Sequence, residues 1–317
     1  MFAEILALYD FSPPSKIALE WALRLGQHFH SSLRVLQVFS RPSTVSKNDF
    51  LKYQAEILQQ IREQIDQDVR QIFSHSSKEL KSLEIEVKPG KATSVILNEI
   101  QSTLPDLVVI GTHGRTGLSH LLLGSVAEKV LRHSPSPVWV VRSPSAWPPK
   151  SVLLPIDESE PVEETFDFLT RLSSSLFLQA HALYVLPFPI ITPAYVEGLV
   201  LMNPATLEKE SLESLTRIIN QHPSSPKITP HVSTGLAVTE ICHLAKEVRA
   251  DLILIPTHGR SGLNYLFMGS VAGQVVRYAP CSVLSFCPQQ GFAYRKKLLE
   301  EMMEEEDLSY QELGVGD

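Results

Sequence analysis

Two loops in this 317-residue chain carry the same run of residue types, Thr-His-Gly-Arg followed nine residues later by Gly-Ser-Val-Ala. In the first, IGTHGRTGLSHLLLGSVAEKV, an apolar stretch stops at Gly111. A loop with Gly114 and Gly117 follows, and a helical pattern starts at Gly124-Ser125. Glycine lets backbone come close to an anion, and the N–H groups of Ser125 and Val126 at a helix start offer donors together with the positive end of the helix dipole. Ser125 adds a hydroxyl. The chemistry such a loop suits is phosphate binding. Catalysis is less well provided for: His113 and His258 recur at the same place, but no acid or cysteine recurs beside them to orient a base or act as nucleophile. There is no GxxxxGK[ST] run either, so the lysine and magnesium logic of P-loop hydrolases is missing. Fast nucleotide turnover is not expected.

The elements that must hold these loops follow from an internal repeat. Asp106–Pro135 aligns without gaps on Asp251–Pro280 at an offset of 145, with 17 of 30 positions identical. The same offset pairs Gly90 with Gly235. Near the start of each half the offset is 147, pairing Asp10 with Asp157 and Ser12 with Ser159. Each half alternates short apolar runs with stretches of helical period, the mark of βαβ units on a parallel sheet. Strands are expected near 5–8, 33–39, 83–87, 107–110 and 138–141, and again near 152–156, 178–185, 227–232, 252–255 and 282–286. Helices are expected in the first half near 15–28, 50–80, 92–101 and 125–133. In open parallel sheets ligands sit outside the carboxyl ends of strands, where both glycine loops fall.

SPSAWPPK, residues 143–150, has three prolines and reads as a linker. The expected domains are therefore 1–147 and 148–290. Residues 291–317 form an acidic tail, with six acidic residues among the eight from Glu300 to Asp307. The tail reads as a solvated segment, or else as a docking strip for a basic partner. FPIITPAYVEGLVLMNP, from Phe188 to Pro204, has no counterpart in the first half; it reads as covering its own domain or lining an interface.

The pattern Gly111-x2-Gly114-x9-Gly124-Ser125, with DLVVIGTHGR and SVAEKVL around it, resembles the ATP-binding signature of the universal stress protein family. Asp10 in LALYDFS and Gly90 in VKPGKA match that family's early aspartate and its glycine after the third strand. The resemblance runs over nearly the whole chain, twice. It implies an α/β fold of two tandem Rossmann-like domains, each a five-stranded parallel sheet of order 3-2-1-4-5 with helices on both faces. It also implies ATP, with Mg²⁺ or Mn²⁺, between the first and fourth strands, other adenine nucleotides being alternatives. Asp10 would then contact adenine or ribose and Val38 would wall the base. Gly111, Gly114, Gly124, Ser125 and Val126 would hold ribose and phosphates, with Arg115 adding charge. For Asp10 a turn role in DFSPPS is the competing reading, and both can hold. The resemblance further implies that the two halves pair within the chain as homodimers of single units do; a dimer of such pairs would make a four-domain assembly.

The second half departs from this pattern. Asp157, Gly259, Arg260, Gly269, Ser270 and Val271 keep their places, but Pro256 stands where the first half has Gly111. Proline has no N–H to give and its ring takes space, so this second site is expected to be weaker, altered or silent.

Composition bounds the rest. A hydrophobic fraction of 44 % and a charged fraction of 20 % belong to globular domains. A net charge of −7 argues against nucleic acid as partner. No apolar run reaches the roughly 18–20 residues that cross a bilayer, and no basic segment precedes the first apolar stretch, so a cytoplasmic protein is expected. Cys242, Cys281 and Cys287 show no paired spacing and read as thiols. The leading functional expectation is a regulatory module whose ATP occupancy alters its contact with a protein partner. A slow ATPase and a nucleotide-independent scaffold are the alternatives.

Overall fold

The computed structural model describes residues 1–41, 46–73, 80–112, 123–142, 147–157, 162–187, 204–222, 227–257 and 269–287. The acidic tail and the apolar segment 188–203 lie outside them. The described residues divide into two units.

In the first unit, β1 (Glu4–Leu8), β4 (Leu107–Gly111) and β5 (Val138–Val141) are short apolar runs with almost every residue buried. That is how strands covered by helices on both faces should read. β2 (Ser32–Phe39) and β3 (Ser82–Pro89) lie to the other side of β1, giving the order β3-β2-β1-β4-β5. The resolved pairings of β1 with β2 and β4, β2 with β3, and β4 with β5 are all parallel. β3 is the outer strand, and its sequence SLEIEVKP alternates charge with apolar residues and ends in proline. Both features suit a strand with one side open.

Four helices connect these strands: α1 (Pro13–Phe29), α2 (Lys47–Phe73), α3 (Ala92–Thr103) and α4 (Ser125–His133). α1 starts where the sequence says it should. Ser12 is its N-cap, the Ser12 hydroxyl accepts from the Ser15 amide at 3.3 Å, and Pro13 and Pro14 fill the first positions. Its face Ala18, Leu19, Ala22 and Leu25 is buried, and Trp21 packs on Trp139 of β5 with ring centroids 5.7 Å apart. The expected second helix ran on to Leu80, but Leu80 is already outside it. Leu80 instead lies against Gly26 of α1 and leads into β3, so closely that a Cβ on Gly26 would stand 2.5 Å from the leucine Cδ2.

The second unit repeats the plan with β6 (Ser151–Ile156), α5 (Val162–Leu176), β7 (Gln179–Leu186), α6 (Pro204–Asn220), β8 (Ile228–Thr234), α7 (Ala237–Glu247), β9 (Leu252–Pro256), α8 (Ser270–Tyr278) and β10 (Ser282–Phe286). Its strands run β8-β7-β6-β9-β10. The repeated aspartate that opens the fourth strand of each unit has the same task in both. Asp106 Oδ2 accepts from the amides of Ala3 (2.7 Å) and Glu4 (3.0 Å), and Asp251 Oδ2 accepts from those of Lys150 (2.7 Å) and Ser151 (3.2 Å). Each pins the start of the neighbouring central strand, whose first N–H groups would otherwise lack an acceptor.

The units differ in what stands between the outer strands and the helix beside them. In the first, Arg34 Nη1 meets Glu99 Oε1 at 2.5 Å and Glu86 at 3.8 Å, and Lys88 bonds both Glu86 and Glu99. Burial pushes the Glu99 carboxyl upward, but the bond from Lys88 and the Arg34 guanidinium outweigh it and hold the carboxyl below its ordinary range. In the second unit the repeat offsets put His181 in the place of Arg34 and His231 in that of Glu86. There His181 Nδ1 and His231 Nε2 are 3.0 Å apart. Burial holds both imidazoles below their ordinary range; each adds to or tempers this through its neighbours, His231 for His181 and Glu247 for His231.

Candidate functional site

The chain leaves β1 through Tyr9, whose amide donates to the Leu36 carbonyl at 2.9 Å, and then makes a tight turn at Asp10-Phe11-Ser12. Asp10 Oδ1 accepts from both the amide (3.0 Å) and the hydroxyl (2.5 Å) of Ser12, and the Asp10 amide donates to Ser15 Oγ at 3.3 Å. Phe11 has φ +66°, a left-handed conformation that non-glycine residues adopt only when their surroundings fix it. The turn reading of Asp10 therefore holds, and it leaves Asp10 at the carboxyl end of β1, on the wall of a cleft.

That cleft has a volume of about 280 Å³, just below the roughly 300–1,000 Å³ common for small-molecule sites. Six of the eight residues expected at the first site line it: Asp10, Val38, Gly111, Gly124, Ser125 and Val126. Gly114 and Arg115 lie outside the described residues, as does His113. Leu8 and Leu36 from the strands and Ala92 and Ile96 from α3 supply apolar wall, and Tyr9 and Ser15 complete the β1 side. These last six were not singled out by sequence reasoning. Ala92 and Ile96 follow Gly90, the glycine matched to the family, and that was the available signal.

At the α4 end, Gly124 is the N-cap, with φ −65° and ψ 147° and no side-chain cap bond. Its amide donates to the Thr112 carbonyl at 2.8 Å, closing the loop between β4 and α4. The Gly124 N–H is thus used within the chain. The amides of Ser125 and Val126, in the first turn of α4, have no intrahelical acceptor and stand beside the cleft. Gly111 also has a reason that the sequence reading did not supply. A Cβ built there would lie 2.7 Å from the Pro14 carbonyl carbon and 2.8 Å from its oxygen. The start of α1 thus rests against the end of β4, and only glycine leaves room for it.

On the far side of the turn, the Tyr9 hydroxyl donates to Asp68 Oδ2 of α2 at 2.5 Å, and Lys16 Nζ is 3.5 Å from the same oxygen. Burial, with the bond to Asp68 acting in the same direction, holds the Tyr9 phenol above its ordinary range, so the hydroxyl keeps its proton.

The second unit has a cleft at the corresponding place, of about 370 Å³. Asp157, Gly269, Ser270 and Val271 line it, together with Val185, Gly235 and Pro256; Gly259, Arg260 and His258 lie outside the described residues. The Gly269 amide donates to the Thr257 carbonyl at 2.8 Å, the same closure as in the first unit. Pro256 is accommodated in a cleft that is the larger of the two. Among the described residues no group of three or more His, Cys, Asp and Glu side chains could hold a metal ion. No described helix is long and apolar enough to cross a membrane.

Comparison with known proteins agrees with this architecture. Universal stress protein Rv1996 of Mycobacterium tuberculosis is 27 % identical over 304 residues, covering 87 % of this chain and 92 % of its own. Universal stress protein E of Escherichia coli is 26 % identical over 207 residues, 62 % of this chain and 65 % of its own. A functionally unknown protein, PA1789 of Pseudomonas aeruginosa, has the same fold over 95 % of this chain and 98 % of its own, with a TM-score of 0.67 at 18 % identity. A universal stress protein of Archaeoglobus fulgidus aligns over 90 % of this chain and 99 % of its own, with a TM-score of 0.65 at 17 % identity. The family model described as the universal stress protein family matches residues 1–142 and again 149–286, and the chain, an α/β protein with two such domains in tandem, belongs to that family.

Proposed function

We propose that the chain is an adenine-nucleotide-binding regulator in which ATP occupies the first cleft and its presence alters contact with a protein partner. The observation that carries this reading is convergence: Asp10 and Val38, at the ends of β1 and β2, share one cleft with Ser125 and Val126, whose amides at the start of α4 have no intrahelical acceptor. An apolar wall with an acidic edge at one end and backbone amides at a helix start at the other matches a molecule with a base at one end and phosphates at the other. In this reading Val38, Leu36 and Ile96 hold the base and Asp10 orients adenine or ribose. The Ser125 and Val126 amides receive phosphate oxygens, with Gly114 and Arg115 from the adjoining loop. Mg²⁺ or Mn²⁺ would arrive with the nucleotide and neutralise phosphate charge. Asp157, Gly269, Ser270 and Val271 would form a second, weaker site on the same plan, with Gly259 and Arg260 from the loop. A ligand shifts a protein only by the difference in its affinity for two states, so regulation requires that ATP favour one arrangement of the chain around the cleft.

The test is to denature freshly purified protein prepared without added nucleotide and quantify adenine nucleotides in the supernatant by chromatography, with titration of stripped protein by ATP, ADP, AMP and cyclic AMP alongside. About one nucleotide per chain, abolished by Asp10→Ala combined with Ser125→Pro, supports the first site with a silent second; about two means that Pro256 is tolerated. No nucleotide after purification and none on titration refutes the reading.

A further inference from the structure

α2 contacts two residues, Phe39 and Tyr9, each next to one that the functional reading assigns to the nucleotide. Near its start, Phe50 is buried and stacks on Phe39, ring centroids 5.7 Å apart and planes 17° apart, so that α2 presses on the residue after Val38. Eighteen residues on, roughly 27 Å along the helix at 1.5 Å per residue, Asp68 takes the Tyr9 hydroxyl and the Lys16 ammonium. Tyr9 precedes Asp10, lines the cleft, and is only 3 % exposed. Its ring is met edge-on by Phe11 at 4.9 Å, the residue held at φ +66° in the turn that aims Asp10. Any displacement of Asp10 that draws this turn with it therefore pulls on Asp68. Between the two anchors α2 reaches the surface, with Leu51 57 % and Tyr53 46 % exposed.

The second unit lacks both links. At the repeat offset of 147, Ile156 stands in the place of Tyr9 and Leu186 in that of Phe39, so neither a hydroxyl to bond nor a ring to stack is present.

We propose that α2 is the element that registers occupancy of the first cleft, with Tyr9 as the positioning residue that joins it to the Asp10 turn. The inference rests on the reading of that cleft as a nucleotide site. It assigns response to the first half of the chain alone, whether or not the second cleft also fills.

Hydrogen exchange of the full chain, with and without saturating ATP, tests it by peptide. Exchange is expected to slow by about tenfold in the α2 peptides around Phe50 and Asp68 on addition of ATP, within the usual range of coupling between sites, while α6 (Pro204–Asn220) is unchanged. Tyr9→Phe keeps the ring and removes the bond; it should still bind ATP, about five- to tenfold more weakly by reciprocity, and lose the ATP-dependent slowing around Asp68. Asp68→Ala should behave alike, and Asp68→Asn, which keeps an acceptor for the hydroxyl, should restore part of it. A residue that merely held the fold together would raise exchange equally with and without ATP. If ATP binds and α2 exchange does not change, or if the slowing around Asp68 survives both Tyr9→Phe and Asp68→Ala, the inference is wrong and the nucleotide site stands. If wild-type protein binds no ATP, both fall.

Discussion

Ser125→Pro separates the binding role of the α4 start from its structural role. Ser125 is the first residue of α4, and its N–H has no intrahelical acceptor. Proline is well suited to that position, because its fixed φ is already helical and the donor it lacks makes no helix bond. The residue before a proline must be extended, and Gly124 is, with ψ 147°. The helix should therefore form as before, with the melting temperature within about 2 °C of wild type, equivalent to about 0.6 kcal/mol for a domain of this size. Nucleotide binding should not survive so well. A hydrogen bond to a charged group contributes about 1.5–3 kcal/mol, so losing one amide from a phosphate oxygen should weaken binding by roughly 10- to 150-fold. Ser125→Ala, which removes the hydroxyl and keeps the amide, is the control. The assay is calorimetric or fluorescence titration of stripped protein with ATP. If folded Ser125→Pro binds within about threefold of Ser125→Ala, the amide does not hold phosphate, and the placing of phosphates at α4 is refuted.

Three further outcomes follow from the packing and the charges. Gly111→Ala should lower stability by about 1–3 kcal/mol even without nucleotide, since its Cβ meets Pro14 backbone that cannot turn aside; denaturant unfolding of stripped protein measures this, and an unchanged midpoint would remove the packing role. Glu99 has a folded pKa held below its unfolded value by Lys88 and Arg34. Its contribution is thus complete above the ordinary glutamate range and is lost as pH falls through the lowered value, so Glu99→Gln should flatten the stability profile on the acid side. His181 and His231 are held below their ordinary range, so the fold favours the neutral pair. Their contribution is complete above about pH 6.5 and declines as pH drops through the unfolded value toward the lowered folded ones. His181→Phe with His231→Leu should remove that decline; persistence of the same slope in the double variant would exclude the pair as its source.

How much of this was legible in the sequence depends on how far each feature reaches along the chain. The ten strands were visible as short apolar runs or, at the outer strands β3 and β8, as more polar runs recurring at the same place in both halves. Ser12 as a cap and Pro13-Pro14 as a helix start are local and could be read directly. The end of α2 was not, because Leu80 is claimed by Gly26 of α1, 54 residues earlier, and periodicity cannot see that competition. The cleft residues on strand ends and at the α4 start were placed by the motif, whereas Tyr9 and Asp68 are 59 residues apart and carry no shared pattern. The use of the Gly124 amide within the chain depends on where the Thr112 carbonyl points, which is a matter of backbone geometry that residue types do not reveal.

The contact between Gly111 and Pro14 changes what a surviving signature is worth as a record of descent. Every mutation to a residue with a Cβ at 111 has to contend with the start of α1, so that glycine is protected by the fold even in a copy that has stopped binding anything. The equivalent position in the second half holds proline, and a cleft stands beside it there too. In duplicated chains of this kind, an intact first glycine reports how tightly a helix is seated. The steps at which ligand binding is lost or regained will be written in residues that packing leaves free to vary, such as the hydroxyl-bearing first position of α4.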